Sequence, residues 1–224
     1  MVSAICIESS TKAISLAIFD RSSQIVFERS SNEMDPVVAF AVWLEEAIQS
    51  NLINPSALDY ILVSKGPGSF TGLRAGMAFA KGLAYGWKTK ILAVSSLQSI
   101  AALLKRNHPE AKYYIPMIDA RRNEVYTGVY DIHLQSVMTD QALDFDQGIE
   151  ALEPWIKLAY AVGGDGAVKF ELKSDITVVD SKAEGLYRAA MERMMRGEFD
   201  DLSTLRPSYL KEPNITTAKK KLHN

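Results

Sequence analysis

The sequence has 224 residues, of which 47% are hydrophobic and 23% are charged, as expected for an ordinary globular protein. Its 25 basic and 27 acidic residues leave a net charge of −2, so the overall charge attracts neither nucleic acid nor an anionic membrane. A single cysteine, Cys6, excludes an intrachain disulfide and a cysteine metal cluster.

The first part of the chain predicts three short strands and a long helix. Strand-like segments at residues 2–7, 13–19 and 24–28 are separated by turn-forming residues. Because no basic segment precedes the first strand, we expect no signal peptide and a cytoplasmic protein. Asp35 is the expected N-cap of a helix over Pro36–Gln49. The first turns of this helix are apolar on all sides, so we expect both of its sides to meet protein.

An unusual glycine-rich stretch follows a predicted strand at residues 60–65. Gly66, Pro67 and Gly68 predict a tight turn, and Ser69 or Thr71 is the expected N-cap of the next helix. Each glycine inside a helix costs about 1 kcal/mol relative to alanine. We therefore expect another backbone to approach this helix closely. Its small residues are Gly72, Ala75, Gly76, Ala78, Ala80, Gly82, Ala84 and Gly86.

The rest of the chain predicts alternating strands and helices, and it contains an internal repeat. Residues 7–20 align without a gap on residues 118–131, each with an acid, four turn residues and an alternating strand. This repeat predicts two related α/β lobes with a cleft between them, although chance similarity of short segments is the alternative. Strands are expected at residues 91–94, 113–118, 124–130, 135–138, 160–162 and 176–179, and helices at 96–105, at 148–156, from 167 and at 182–196.

Two acids and the glycine turn are candidate contacts for an anion or a nucleotide. Glu8 and Asp119 end equivalent strands and are expected to face each other across the cleft, where a two-lobed ATPase holds hydrated magnesium. Against this, the loop after Glu8 lacks the glycine that lets a backbone approach phosphate. A turn that serves only packing is the simpler interpretation. The candidate contacts are Glu8, Ser9, Ser10, Gly66, Gly68, Ser69, Asp119 and Gly164.

Arg74 lies in the first turn of the glycine-rich helix, where its charge meets the positive end of the helix dipole. It is therefore expected to have a partner, which is Glu8, Asp35, a phosphate or an acid on another chain. A solvated arginine is the alternative.

The sequence offers no familiar catalytic or metal-binding constellation. Three isolated histidines, His108, His133 and His223, predict no zinc or iron site. The glycine turn is neither a Walker loop nor a dinucleotide fingerprint, and no Gly-x-Ser-x-Gly elbow is present. We therefore expect no metal and no catalytic residue in this chain.

Four motifs resemble, in order, the landmarks of the bacterial TsaB (YeaZ) family. Ser64-Lys-Gly-Pro-Gly-Ser-Phe-Thr-Gly-Leu-Arg-Ala-Gly-Met-Ala-Phe-Ala-Lys-Gly-Leu83 resembles its signature, and residues 119–126, 162–167 and 206–211 resemble its later motifs. The resemblance implies an α/β, actin-like (ASKHA) fold of two duplicated lobes of mixed β-sheet flanked by helices. We expect residues 1–104 to form the N-terminal lobe and 105–224 the C-terminal lobe, with the last helix and tail packing back on the first.

The resemblance also implies a role in threonylcarbamoylation of adenosine 37 in tRNAs that read ANN codons (t6A formation). In that family a TsaD-type subunit carries the catalytic site and a TsaE-type ATPase joins the pair. This chain is then expected to bind and activate the TsaD-type subunit without catalysing the reaction, and to form a homodimer when alone. It requires no cofactor, because ATP and metal are expected on the partner subunits, and tRNA binds through the complex.

The expected partner surface lies on the first-lobe helices at residues 36–49 and 72–87. Small residues let a facing helix come close, and a stable interface buries about 1,600 Å² in total. Ala75→Glu or Gly76→Trp is expected to abolish partner binding in a folded monomer. The alternative function is an independent actin-like ATPase or small-molecule kinase, favoured less because relatives usually carry aspartate at the position of Glu8. The predicted interface residues are Val38, Ala41, Val42, Trp43, Gly72, Leu73, Arg74, Ala75, Gly76, Met77 and Phe79.

Overall fold

The computed structural model describes residues 2–169, 179 and 181–211 of the chain. The strand predicted at residues 176–179 lies outside these residues except for position 179, and so does His223. The helix predicted from residue 167 is, as far as it is described, a single 3-10 turn at Ala167–Lys169. No helix among the described residues has the length and apolarity needed to cross a bilayer.

The first lobe contains a five-stranded sheet and three helices. The strand order is β3-β2-β1-β4-β5, in which β1 is antiparallel to β2 and parallel to β4. A 3-10 turn at Pro55–Ala57, not predicted from the sequence, precedes β4. The elements are β1 (Ala4–Glu8), β2 (Ile14–Phe19), β3 (Ile25–Ser31), α1 (Pro36–Gln49), β4 (Tyr60–Gly66), α2 (Phe70–Trp87), β5 (Lys90–Ser95) and α3 (Ser96–Asn107).

The second lobe repeats this arrangement with a four-stranded sheet in the described residues. Its order is β8-β7-β6-β9, and β6 is antiparallel to β7 and parallel to β9. The equivalent strands therefore occupy equivalent places, which confirms the predicted α/β fold of two duplicated, mixed-sheet lobes. The elements are β6 (Tyr113–Asp119), β7 (Glu124–Asp131), β8 (Ser136–Asp144), α4 (Phe145–Ile156), β9 (Tyr160–Gly163) and α5 (Ala183–Met195).

The gapless alignment of the two repeats is wrong by one residue. Glu8 pairs with Ser15 in the first hairpin, whereas Asp119 pairs with Val125 instead of the aligned Tyr126. The loop after β1 contains residues 9–13 and the loop after β6 only residues 120–123. Loop length sets the register of a hairpin, so the longer first loop shifts the pairing by one position.

Helix α1 has one face in the core and one face open to solvent. The Asp35 carboxylate accepts a hydrogen bond from the Val37 N–H at 2.9 Å, so the predicted cap and helix bounds are confirmed. Phe40 and Trp43 are buried beside β2 and α2, whereas 49% of Val42 is exposed. Among the residues that the structure describes, the side of α1 facing away from the core meets no protein, which corrects the expectation that both sides of this helix do.

The first-lobe sheet is covered on both faces. Helices α1 and α2 pack on one face, and α5 packs on the other through residues such as Leu186. The Tyr187 ring stacks on Phe19 with 3.9 Å between centroids. Cys6 lies fully buried on the side of the sheet that α5 covers, and burial raises the pKa of its thiol well above the usual value. Helix α5 thus joins the first-lobe core although it follows the second-lobe strands in sequence.

Candidate functional site

The turn between β4 and α2 is built on glycines in unusual backbone conformations. Gly66 has φ +107° and Gly68 has φ +152°, which favour glycine over residues with a side chain. The Ser69 hydroxyl accepts a hydrogen bond from the Gly72 N–H at 3.2 Å, so Ser69, and not Thr71, is the cap. The Ser69 N–H donates to the Ser10 carbonyl at 2.6 Å, which ties the turn to the loop after β1.

The glycine just before α2 and the first two glycines inside it are explained by contacts within the chain. A Cβ atom at Gly68 would collide with the Ser10 carbonyl, and one at Gly72 with the Ser9 carbonyl. At Gly76 it would meet the Ser9 hydroxyl. The backbone that approaches α2 is therefore the loop after β1.

Two later glycines of α2 have no such explanation. Apart from the backbone of the helix itself, a Cβ atom at Gly82 or Gly86 would have no neighbour within 4 Å among the described residues. These two glycines therefore leave α2 narrow on a side that the described part of the chain does not cover.

The structure divides the predicted interface residues between the core and the surface. Val38, Ala41, Val42 and Arg74 are exposed, and Ala75 and Phe79 are half-buried. The other predicted residues serve the core of this lobe, which corrects their assignment to a partner surface. These buried residues are Trp43, Gly72, Leu73, Gly76 and Met77.

Helices α1 and α2 are packed neighbours, because the Phe40 and Phe79 rings lie 5.7 Å apart between centroids. Tyr85, which is 82% exposed, is not among the interface residues predicted from the sequence. Arg74, Ala78, Gly82 and Tyr85 share one side of α2, and this spacing of four, four and three residues could have been read from the sequence. We call this surface the outer face; it consists of Val37, Val38, Ala41 and Val42 from α1 and Arg74, Ala75, Ala78, Gly82 and Tyr85 from α2.

A cleft of about 690 Å³ lies between the two lobes. Its walls are the loop after β1, the turn before α2, the loop after β6 and the segment of residues 208–211. The lining includes half of the predicted anion contacts. Ser10, Gly68, Ser69 and Asp119 line the cleft, whereas Glu8, Ser9, Gly66 and Gly164 do not.

Glu8 does not face Asp119 across the cleft, contrary to expectation. It is fully buried, and one carboxylate oxygen accepts a hydrogen bond from the Ser10 N–H at 2.7 Å. The other oxygen has no hydrogen-bond partner among the described residues. The loop after β1 folds onto α2, so it covers the end of β1 and keeps the Glu8 carboxylate away from the cleft.

Asp119 lines the cleft but is held by its own lobe. Its carboxylate accepts hydrogen bonds from the Lys169 ammonium and from the Arg121 N–H. Lys169 also donates to the carbonyls of Arg122 and Glu124, at 3.0 and 3.2 Å. Partial burial acts to raise the pKa of Asp119, but Lys169 and the Arg121 N–H hold it below its usual value.

These residues do not fit a magnesium–nucleotide site. One of the two expected acids, Glu8, is buried away from the cleft, and the other, Asp119, is already paired with the Lys169 ammonium. Ser10 of the loop after β1 lines the cleft. The Ser10 carbonyl already accepts a hydrogen bond from the Ser69 N–H. The described residues also contain no group of three His, Cys, Asp or Glu side chains arranged to hold a metal.

Lys169→Met is expected to lower stability in a pH-dependent way. The folded-state pKa of Asp119 is lowered, so its contribution is present above the unfolded pKa near 4 and is lost as the pH falls through the folded value. Because the carboxylate is partly exposed, we expect a loss of at most about 1 kcal/mol at pH 7. Urea unfolding at pH 7 and pH 2.5 measures the loss, which should shrink at the lower pH. Lys112→Met, at an exposed lysine outside the cleft, is the control, and an equal loss at both pH values would contradict the assignment.

Arg74 contacts two neutral side chains and neither of the acids, Glu8 and Asp35, that the sequence suggested as partners. The guanidinium carbon lies 3.8 Å from the centroid of the Phe70 ring. Its Nε–H donates to the Tyr209 hydroxyl at 3.1 Å, so the expected pairing with Glu8 or Asp35 is wrong. Tyr209 is distant in sequence, and only the fold brings it to α2.

Comparison with known proteins identifies the family. The family model of TsaD, described as tRNA N6-adenosine threonylcarbamoyltransferase, matches residues 37–218, which is well over half of the chain. The chain is 36% identical over 125 residues to the tRNA threonylcarbamoyladenosine biosynthesis protein TsaB of Bacillus subtilis (strain 168), covering 54% of this chain and 53% of that protein. For TsaB of Escherichia coli (strain K12) the identity is 29% over 127 residues, with coverages of 56% and 54%. The chain thus spans about half the length of the curated relatives it matches.

A solved structure shows the same fold over nearly the whole chain. YeaZ from Pseudomonas aeruginosa superposes with a TM-score of 0.82 and 24% identity, covering 94% of this chain and 100% of that one. The fold is therefore that of YeaZ, with both lobes present. The chain belongs to the family that the TsaD family model describes, and its motifs, curated relatives and fold place it among the TsaB (YeaZ) members of that family.

Proposed function

We propose that this chain is a non-catalytic subunit that binds and activates a TsaD-type enzyme in threonylcarbamoylation of adenosine 37 of ANN-decoding tRNAs. The similarity to TsaB proteins named for tRNA threonylcarbamoyladenosine biosynthesis supports this pathway. The observation that carries the proposed role is the outer face, an apolar surface on two adjacent helices.

The outer face has the composition of a protein-binding surface. Val37 and Val38 are each 55% exposed, and Val42 is 49% exposed, so three valines lie within two turns of α1. Burying a valine fully contributes about 1.5 kcal/mol or more, and a contiguous exposed apolar patch typically marks an interaction site. Ala78 and Gly82 on α2 would let a facing helix approach the backbone. A second copy of the chain would use the same surface when no other subunit is present.

The cleft supports an accessory role. Asp119 is paired with Lys169, and Glu8 is buried, so neither acid is free to orient a magnesium-bound nucleotide. We therefore place ATP and metal on the TsaD-type and TsaE-type subunits and assign this chain no cofactor. In this proposal tRNA reaches the chain through the assembled complex in the cytoplasm.

Reconstitution of the modification tests this role. Unmodified ANN-decoding tRNA is incubated with the donor threonylcarbamoyl-adenylate, Mg-ATP and the TsaD-type and TsaE-type subunits from the same source, with and without this chain. We expect the modified adenosine to form at least about ten times faster when the chain is present, which corresponds to about 1.4 kcal/mol in activation free energy. Equal rates would contradict the proposal. Calorimetry of the chain alone with Mg-ATP distinguishes this proposal from the alternative function, because micromolar binding with turnover would indicate an independent ATPase.

A further inference from the structure

We infer that Arg74 is a preorganised anchor for a carboxylate of the TsaD-type subunit, and that Phe70 and Tyr209 hold it in position. This role deepens the proposed function and rests on it. It names the chemistry that the partner must present at one end of the outer face.

The three side chains form one cluster at the start of α2. The Arg74 guanidinium lies over the Phe70 ring at 3.8 Å, and its Nε–H donates to the Tyr209 hydroxyl at 3.1 Å. The Phe70 and Tyr209 rings pack against each other with 5.0 Å between centroids. One face of the guanidinium and its Nε–H are thus engaged, and the described residues offer no acceptor to the two terminal nitrogens.

No acid among the residues that the structure describes pairs with that charge. Arg74 is exposed, and its contacts among the described residues are to a neutral ring and a neutral hydroxyl. An arginine fixed in one orientation without an anion is therefore suited to bind one from outside.

A protein carboxylate fits this site better than a phosphate. Two parallel N–H groups of a guanidinium match the two oxygens of a carboxylate in a planar fork. Ala75 and Ala78 are the outer-face residues of α2 within four positions of Arg74, and neither carries a charge that would favour a phosphate. An acidic side chain at the edge of an apolar helix is the complement of this surface, because its apolar neighbours would cover the valines while its carboxylate meets Arg74.

Tyr209 acts as a positioning residue in this arrangement. It belongs to the segment that continues from Ser208, whose N–H donates to the Lys65 carbonyl at 2.6 Å at the end of β4. Two residues further on, Lys211 forms an ion pair with Glu124 of β7. The segment is thus attached to both lobes, so it can hold the Tyr209 hydroxyl fixed beside Arg74. A side chain ordered before binding loses less conformational entropy on association.

Binding kinetics of the chain with the TsaD-type subunit, at low and high salt, test the anchor. We expect Arg74→Gln to weaken affinity by about 10- to 100-fold and to remove most of the salt dependence of the association rate. We expect Tyr209→Phe, which removes only the hydroxyl, to weaken affinity by about threefold to tenfold. In the Arg74→Gln background Tyr209→Phe should have no further effect, because its role acts through Arg74. Arg21→Gln, at an exposed arginine of another turn, is the matched control.

The outcomes separate this inference from the proposed function. If Arg74→Gln binds the TsaD-type subunit like the wild type while Val42→Glu fails to bind, the anchor is overturned and the partner surface stands. If Arg74→Gln keeps subunit affinity but weakens tRNA binding by the complex, the guanidinium contacts RNA and the carboxylate assignment is overturned. Additive effects of the two substitutions would overturn the positioning role of Tyr209. If the wild type itself does not bind, the proposed function fails together with this inference.

Discussion

Gly72→Ala is expected to destabilise the protein by about 3 kcal/mol, whereas Gly82→Ala is expected to stabilise it by about 1 kcal/mol. Both glycines lie inside α2, so helix propensity favours alanine equally at the two positions. At Gly72 the new methyl group would collide with the backbone carbonyl of Ser9, which cannot move without distorting the end of β1. At Gly82 the same methyl group meets no described atom within 4 Å apart from the backbone of its own helix and its chain neighbours.

Gly76→Ala provides an intermediate case for this comparison. Its new Cβ atom would meet the Ser9 hydroxyl, and the Ser9 Cβ at 3.2 Å, so part of the strain is relieved when that side chain rotates. Urea unfolding of the three variants should rank their free energies of unfolding as Gly82→Ala, Gly76→Ala and Gly72→Ala, from highest to lowest. Equal effects at Gly72 and Gly82 would contradict the packing of the loop after β1 on α2. For the same reason Gly76→Trp is expected to unfold the lobe, which corrects its use as a test of partner binding.

Val42→Glu and Ala75→Glu are each expected to weaken binding of the TsaD-type subunit by at least about 100-fold while leaving the chain folded. An unpaired carboxylate buried in an apolar interface costs about 3 kcal/mol or more, which corresponds to that loss of affinity. In the free chain Val42 is 49% exposed and Ala75 is half-buried, so water solvates both new carboxylates. Calorimetric titration of the two proteins measures the change.

Ile132→Glu is the matched control for these variants. Ile132 lies in the second lobe and is 47% exposed, close to the exposure of Val42, so the chemical change is the same at a distant surface. We expect it to bind the TsaD-type subunit with wild-type affinity and to support normal tRNA modification. Wild-type binding by Val42→Glu, or loss of binding by Ile132→Glu, would place the partner surface elsewhere. Sedimentation of the free wild-type chain and of these same variants shows whether self-association also uses the outer face.

Local signals were enough to locate most elements. The bounds of α1 and its Asp35 cap are confirmed, because a side-chain cap and proline at the first helical position act within a few residues. The strands begin and end within two residues of the predicted positions except for β3 and β8, which continue further. The order of the strands in the two lobes follows from the repeat, but their hairpin registers differ by one residue because the loops differ in length. The lobe boundary expected after residue 104 falls in the last turn of α3 and stays a prediction.

The sequence by itself determined the elements, the duplication and the importance of the glycine-rich helix, whereas the tertiary structure decided what each residue of that helix does. A helix with small residues on every side shows no contrast between an inner and an outer face, so periodicity could not separate Gly72 from Gly82. The loop after β1 makes that distinction, since it packs on one side of α2 and also buries Glu8. Arg74 shows the same dependence, because Tyr209 reaches it from 135 residues away in the chain. Neighbouring residues determine the local preferences for caps, turns, helices and strands. Contacts between distant segments exist only once the lobes have packed.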